Sequence, residues 1–114
     1  MGIKGDKGSN DSTLTAELLV EKLISIAKIS HKKMFGGYGI FCEGKMFGMV
    51  DSKGQAYLKV NESNKQQFEN NGAHQHSKMP YYSIPKEIMN NQDDLIEWAK
   101  TSIAINKHVN SKTK

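Results

Sequence analysis

The sequence predicts an α+β domain, an antiparallel β-sheet with helices in the order α-β-β-β-α-β-β-α. Three observations carry this. Between residues 33 and 60, runs of alternating apolar and polar residues are separated by turns of two and four residues, and connections that short force neighbouring strands to be antiparallel. Segments with apolar residues at helical spacing lie on either side. Strand runs interrupted by single helices favour helices packed on one face of a mainly antiparallel sheet.

Residues 1–12 are rich in Gly, Lys, Asp, Asn and Ser without apolar periodicity, and a disordered segment is expected there. The domain spans 13–106. Ser12 or Thr13 is placed to cap a first helix, with Glu17 near its positive end, and Leu19, Leu23, Ile26 and Ala27 form its apolar face. That helix is expected to end near residues 28–30. Three strands follow, at 34–42, 45–50 and 55–60, joined by Glu43-Gly44 and by Asp51-Ser52-Lys53-Gly54. Asn61 suits the N-cap of a short helix over 62–70 anchored by Phe68, and Asn71-Gly72 stops it because both residues tolerate the left-handed conformation. Residues 73–78 and 81–84 read as two further strands, with Pro80 at a strand start or edge. Pro85 opens a turn of helix over 86–89. Asn91 caps the last helix, Asp93 and Asp94 complement its dipole, and Leu95, Trp98, Ala99, Ser102 and Ile103 face inward. Fraying is expected by Asn106, followed by a basic tail over 107–114.

The 114 residues are 37% hydrophobic and 25% charged, the composition of one ordinary globular domain. No apolar run approaches the ~18 residues of a membrane span, and the first residues lack the apolar core of a secretory signal. With a single cysteine, Cys42, no intrachain disulfide can form, which fits a reducing compartment. A cytoplasmic location is expected. The formal charge of +4 is unevenly spread. Residues 1–12 sum to zero, and the tail carries Lys107, Lys112 and Lys114 without an acid. Residues 13–105 hold 11 lysines and 10 acids, so the body is close to neutral. All 16 basic residues are lysine, so the bidentate arginine fork that reads guanine or clamps phosphate is missing. Three tail lysines support only weak, salt-sensitive nucleic-acid binding.

Gly36-Gly37-Tyr38-Gly39 superficially suggests a phosphate cradle. Such cradles need a helix N-terminus and a lysine directly after the glycines, whereas Ile40-Phe41-Cys42 follows here. Gly36, Gly37 and Gly39 are therefore read as structural, marking a bend, bulge or close backbone approach. Met34, Phe35, Tyr38, Phe41, Met46, Phe47 and Met49 form an aromatic–methionine surface along the same hairpin. Alternation sends half of them to the core. The outward half is a candidate interaction face, drawn from Met34, Tyr38, Met46, Phe47 and Met49, since methionine-rich apolar faces adapt to protein partners. His74 and His76, two apart on an expected strand, project from one face as a weak candidate metal clip, for which His31 or Cys42 would have to supply a third ligand. Cys42 as a nucleophile would need a paired histidine. Asp93 and Asp94 diverge on a helix and are better helix-dipole partners than an acid/base pair.

The run Lys33-Met34-Phe35-Gly36-Gly37-Tyr38-Gly39-Ile40-Phe41, followed by Gly44-Lys45-Met46-Phe47, resembles the opening of the TfoX (Sxy) N-terminal domain. Tyr57-Leu58-Lys59-Val60, Met79-Pro80-Tyr81-Tyr82 and the late helix with Leu95, Trp98 and Ala99 extend the resemblance over residues 13–105. It implies the same α+β element order, similar to secretion-chaperone-like folds, and no catalytic residues. Full-length members regulate natural competence together with the cyclic-AMP receptor protein and carry a second domain. The resemblance implies a stand-alone version of the first.

The expectation is a non-enzymatic protein-interaction module, homodimeric, without a cofactor, partnered with a protein of the transcription machinery. Weak nucleic-acid binding through the lysine tail is the alternative, and a Cys/His enzyme or metal protein is a third.

Overall fold

Five strands are expected and five are found, divided differently along the chain. The structure, a computed structural model, describes residues 3–26, 28–34 and 36–112, with side chains described for 12–26, 28–34 and 36–105. The elements are α1 (Ile3–Leu23), β1 (Ile29–Met34), β2 (Gly37–Cys42), β3 (Lys45–Val50), β4 (Ala56–Lys59), α2 (Lys65–Asn70), β5 (Tyr81–Ser83), α3 (Lys86–Met89) and α4 (Gln92–Lys112). The strands form one sheet in the order β1-β2-β3-β4-β5, antiparallel throughout. The protein is α+β.

β1 is the strand that the sequence concealed. Residues Ser30, His31, Lys32 and Lys33 are all exposed, as suits an edge strand whose lysines discourage pairing with other chains. Met34 pairs with Gly37, so the expected 34–42 strand is a tight β1–β2 hairpin, turning at Gly36 with φ +80. In the other direction, the expected strand at 73–78 reduces to one bridge, Gln75 to Tyr82. Ala73-His74-Gln75-His76 has no apolar alternation to bury, and Ser77 breaks the line with φ +54.

Cross-strand partners share a face, so the register sorts the side chains. Ile40, Gly48, Leu58 and Tyr82 form one row across β2 to β5, and the row belongs to the core with Leu19, Leu23, Phe68, Leu95, Trp98 and Ala99. This is the helix face: α1 packs against β1, β2 and β3, and α4 against β3 and β4. The Phe68 and Trp98 rings meet at 4.5 Å. Two buried polar side chains share one acceptor here: Ser102 Oγ donates to the Lys59 carbonyl at 2.8 Å, and Asn64 Nδ2 donates to the same oxygen at 3.2 Å.

Several caps fall as expected. Asn91 Oδ1 accepts the Asp94 amide at 3.1 Å. Gly72, with φ +79, closes α2 while the Ala73 amide reaches the Phe68 carbonyl at 3.0 Å. Others differ. α1 begins at Ile3, so helical backbone runs through the stretch expected to be disordered. Thr13 lies within that helix and bonds the Tyr38 hydroxyl at 3.0 Å instead of capping. Asn61 caps a turn ahead of α2, its Oδ1 accepting the Ser63 amide at 2.7 Å. α4 continues past Asn106 to Lys112. Ala27 and Phe35, and the side chains of Lys107, Lys112 and Lys114, lie outside the described residues.

Candidate interaction groove

The second face of the sheet is set by two backbone features of β2 and β3. At Gly37 a Cβ would lie 2.0 Å from the Val50 carbonyl oxygen, so only glycine lets the start of β2 press against the end of β3. Further along, the register shifts between Ile40 and Phe41, and Phe47 is the extra residue of β3. Such a bulge changes which side chains share a face. Phe47 stays with Gly48 on the helix side, wholly buried in the core. Met46 pairs with Phe41, and Met49 with Gly39 and Tyr57, on the opposite side.

On that opposite side the missing Cβ of Gly39 makes room for sulfur. A Cβ there would sit 3.0 Å from Met34 Sδ, 3.0 Å from Met46 Sδ and 2.9 Å from Phe41 Cε1. Met34, Met46 and Met49, joined by His76 and Met79 from the segment after α2, line a groove of about 390 Å³ whose walls are mainly apolar. That segment is strapped across the sheet by backbone bonds from His76 N–H to the Tyr81 carbonyl and from Ser83 N–H to the His74 carbonyl, both 2.8 Å.

Tyr57 pins the strap. Its ring meets His76 at 4.7 Å and His74 at 5.9 Å, and its hydroxyl donates to Asp51 Oδ2 at 3.0 Å. Asp51 Oδ1 accepts the Lys53 and Gln55 amides, each at 2.9 Å, so this carboxylate is fully engaged in shaping the β3–β4 turn. Burial pushes the Tyr57 phenol up to about 12, aided by the hydrogen bond to Asp51 and its charge. Burial likewise raises Tyr81. Both phenols are neutral hydrogen-bonding groups at physiological pH.

The sequence-derived candidates divide accordingly. Met34, Met46 and Met49 come together in the groove. Tyr38 borders it, but pairs with Val50 on the helix face, where its ring meets His31 at 5.2 Å. Phe47 is corrected to the core: the bulge, invisible to a strict alternation, turns it inward. His74 and His76 do share a side, although not through a strand. Ser83 Oγ lies 3.2 Å from His74 Nδ1 and accepts the His74 amide at 3.0 Å, a local lock for the strap. His31 and the buried Cys42 belong to the helix face and do not join them. Among the described residues no three His, Cys, Asp or Glu side chains converge. Gly36 and Gly39 flank a hairpin rather than a helix N-terminus. Asp93 and Asp94 sit exposed in the first turn of α4. Met79 and the Tyr57–Asp51 pair were missed, because the strap that brings them in carries no regular pattern.

An antiparallel meander with helices on one face and a methionine groove on the other defines a small α+β domain. Among the described residues no helix is long and apolar enough to cross a membrane. The family model of the TfoX N-terminal domain matches residues 21–105, most of the chain, and the chain belongs to that family. The matched span includes every strand and the whole groove. No curated protein matches the chain.

Proposed function

We propose that this chain is a non-enzymatic protein-interaction module, linked to transcriptional regulation of competence, and that the methionine groove is its contact surface. The observation that carries the proposal is the groove itself. Three thioether side chains from two strands and a fourth from the strap converge on one sheet face that the helices leave to the strap alone. Unbranched, polarizable methionines adapt to a partner's shape, and an apolar recess with a polar surround is the usual centre of a protein interface. The link to transcription rests on membership of the TfoX N-terminal domain family. A photo-crosslinking amino acid placed at Met49 tests the surface in cells of the source organism, with the same probe at Lys100 on α4 as control. The expected result is a crosslinked partner at Met49, identified by mass spectrometry as a component of the transcription machinery, and none at Lys100. Crosslinks confined to Lys100 would contradict it.

Homodimerisation is a second reading, favoured by α1. Leu14 is 62% exposed and Leu18, one turn later, 42% exposed, with Ile24 at 54% just past the helix. Light scattering on the purified chain should give a dimer mass that falls to monomer in the Leu14→Glu, Leu18→Glu double variant. A wild-type monomer at all concentrations refutes it.

A further inference from the structure

The near-neutral body hides a separation of charge that only the fold reveals. The strands and their turns carry Lys28, Lys32, Lys33, Lys45, Lys53 and Lys59, and the strap adds Lys78. Against these seven lysines the same segments hold only two acids, Glu43 and Asp51. The helices within residues 12–105 show the reverse, seven acids and four lysines, and Glu62 lies in the turn ahead of α2. The sheet layer is thus +5 and the helices −3, which with Glu62 give the +1 of residues 12–105.

Some of the lysines also lie beside the groove. Lys32 pairs with Gly39, the residue against which Met34 and Met46 rest. Lys53 lies in the turn after β3, and Lys78 adjoins Met79; these three are exposed, whereas Lys45 pairs with Cys42 and belongs to the helix face. Of the two acids, Asp51 stands in the groove wall, where it accepts from two backbone amides and the Tyr57 hydroxyl, and Glu43 lies in the β2–β3 turn. The groove is therefore a mainly apolar floor with one carboxylate, Asp51, in its wall and exposed lysines beside it.

Resting on the contact-surface reading above, we infer that the groove takes an acidic protein segment bearing a bulky apolar side chain. The side chain fills the recess between Met34, Met46, Met49 and Met79, and the flanking carboxylates meet the lysines beside it. Complementary charge of this kind steers encounter and selects partners. A nucleic-acid backbone satisfies these lysines but leaves the apolar floor empty, and no arginine is present to grip phosphate or stack on bases.

Fluorescence anisotropy with the full chain provides the test. The probes are a glutamate-rich peptide with a central Leu-Phe pair, its lysine-for-glutamate counterpart, a version with serine replacing Leu-Phe, and a short DNA duplex. The acidic Leu-Phe peptide should bind at least about tenfold more tightly than the other three, and more weakly as salt is raised. The Lys32→Glu, Lys78→Glu double variant should lose about tenfold in affinity with an unchanged circular dichroism spectrum. Lys100→Glu on the helical layer, and Lys112→Glu with Lys114→Glu in the tail, should leave it unchanged. Equal binding of acidic and basic peptides, tighter binding of DNA, or loss confined to the tail variant overturns the inference. A Met49 crosslink to a partner whose docking segment is basic or uncharged overturns this inference alone and leaves the contact surface standing.

Discussion

Replacing Phe47 by alanine separates the two faces of the sheet energetically. The Phe47 side chain is wholly buried among core residues, and its neighbours Met46 and Met49 are half-buried on the groove side. Truncating a buried phenylalanine removes its transfer free energy and leaves a cavity, a cost of about 3–5 kcal/mol. For a domain of this size each kcal/mol lowers the melting temperature by about 4–8 °C, so Phe47→Ala should melt at least ~12 °C below wild type. Met49→Ala gives up a partly solvated side chain on an open groove and should cost about 1 kcal/mol, roughly the area term of the methylenes it removes. Urea and thermal unfolding, followed by the fluorescence of the single tryptophan, Trp98, and by circular dichroism, report both. Comparable costs at the two positions, or a larger one at Met49, would refute the bulge and with it the assignment of faces.

Gly37→Ala should be the most damaging of the glycine substitutions, costing about 3 kcal/mol, because the clash is with Val50 backbone that cannot rotate away; thermal melts check this. Gly39→Ala meets only the ends of Met34, Met46 and Phe41, so it should cost no more than about 1 kcal/mol while narrowing the groove and weakening peptide binding in the anisotropy assay. Tyr57, raised from 10.0 to about 12, keeps its proton in the folded state when the unfolded chain has lost it. Its contribution to stability, on the order of 2–3 kcal/mol, is full below pH 10 and is lost as pH rises toward 12. Absorbance titration of the phenolate should show this late ionisation, and Asp51→Asn should lower it only partway toward the ordinary value, since burial is the larger cause. Ser102→Ala should cost about 1 kcal/mol in urea unfolding, because Asn64 still donates to the Lys59 carbonyl left behind.

Where local chemistry and tertiary demand agree, the sequence could be read directly. The turn at Asp51–Gly54, the Asn91 cap, the Asn71-Gly72 stop and the inward stripe of α4 each follow from residues acting over a few positions. The misses share one cause, namely that the deciding partner is remote. β1 is a charged edge strand with a single buried residue, Ile29, and nothing in its own composition says that Gly37 to Cys42 will pair with it. Phe47, one of the contact-face candidates, faces the helices because a bulge opposite Ile40 and Phe41 shifts the register, and a local run of residues does not announce a bulge. Met79 reaches the groove, with Lys78 beside it in the chain, on a strap held by backbone bonds to β5, where no periodicity marks them. The charge separation was likewise hidden, since a tally along residues 13–105 averages a positive sheet with a negative helical layer.

The six methionines provide the most direct test of the groove as contact surface. With methyl groups labelled with carbon-13, NMR spectra can be recorded as the purified partner captured at Met49 is added. The account predicts that the methyl signals of Met34, Met46, Met49 and Met79 shift or broaden together, while that of Met89, on α3 and packed against the helix-face core, stays in place. Perturbation of Met89 with the groove methyls unmoved would contradict it.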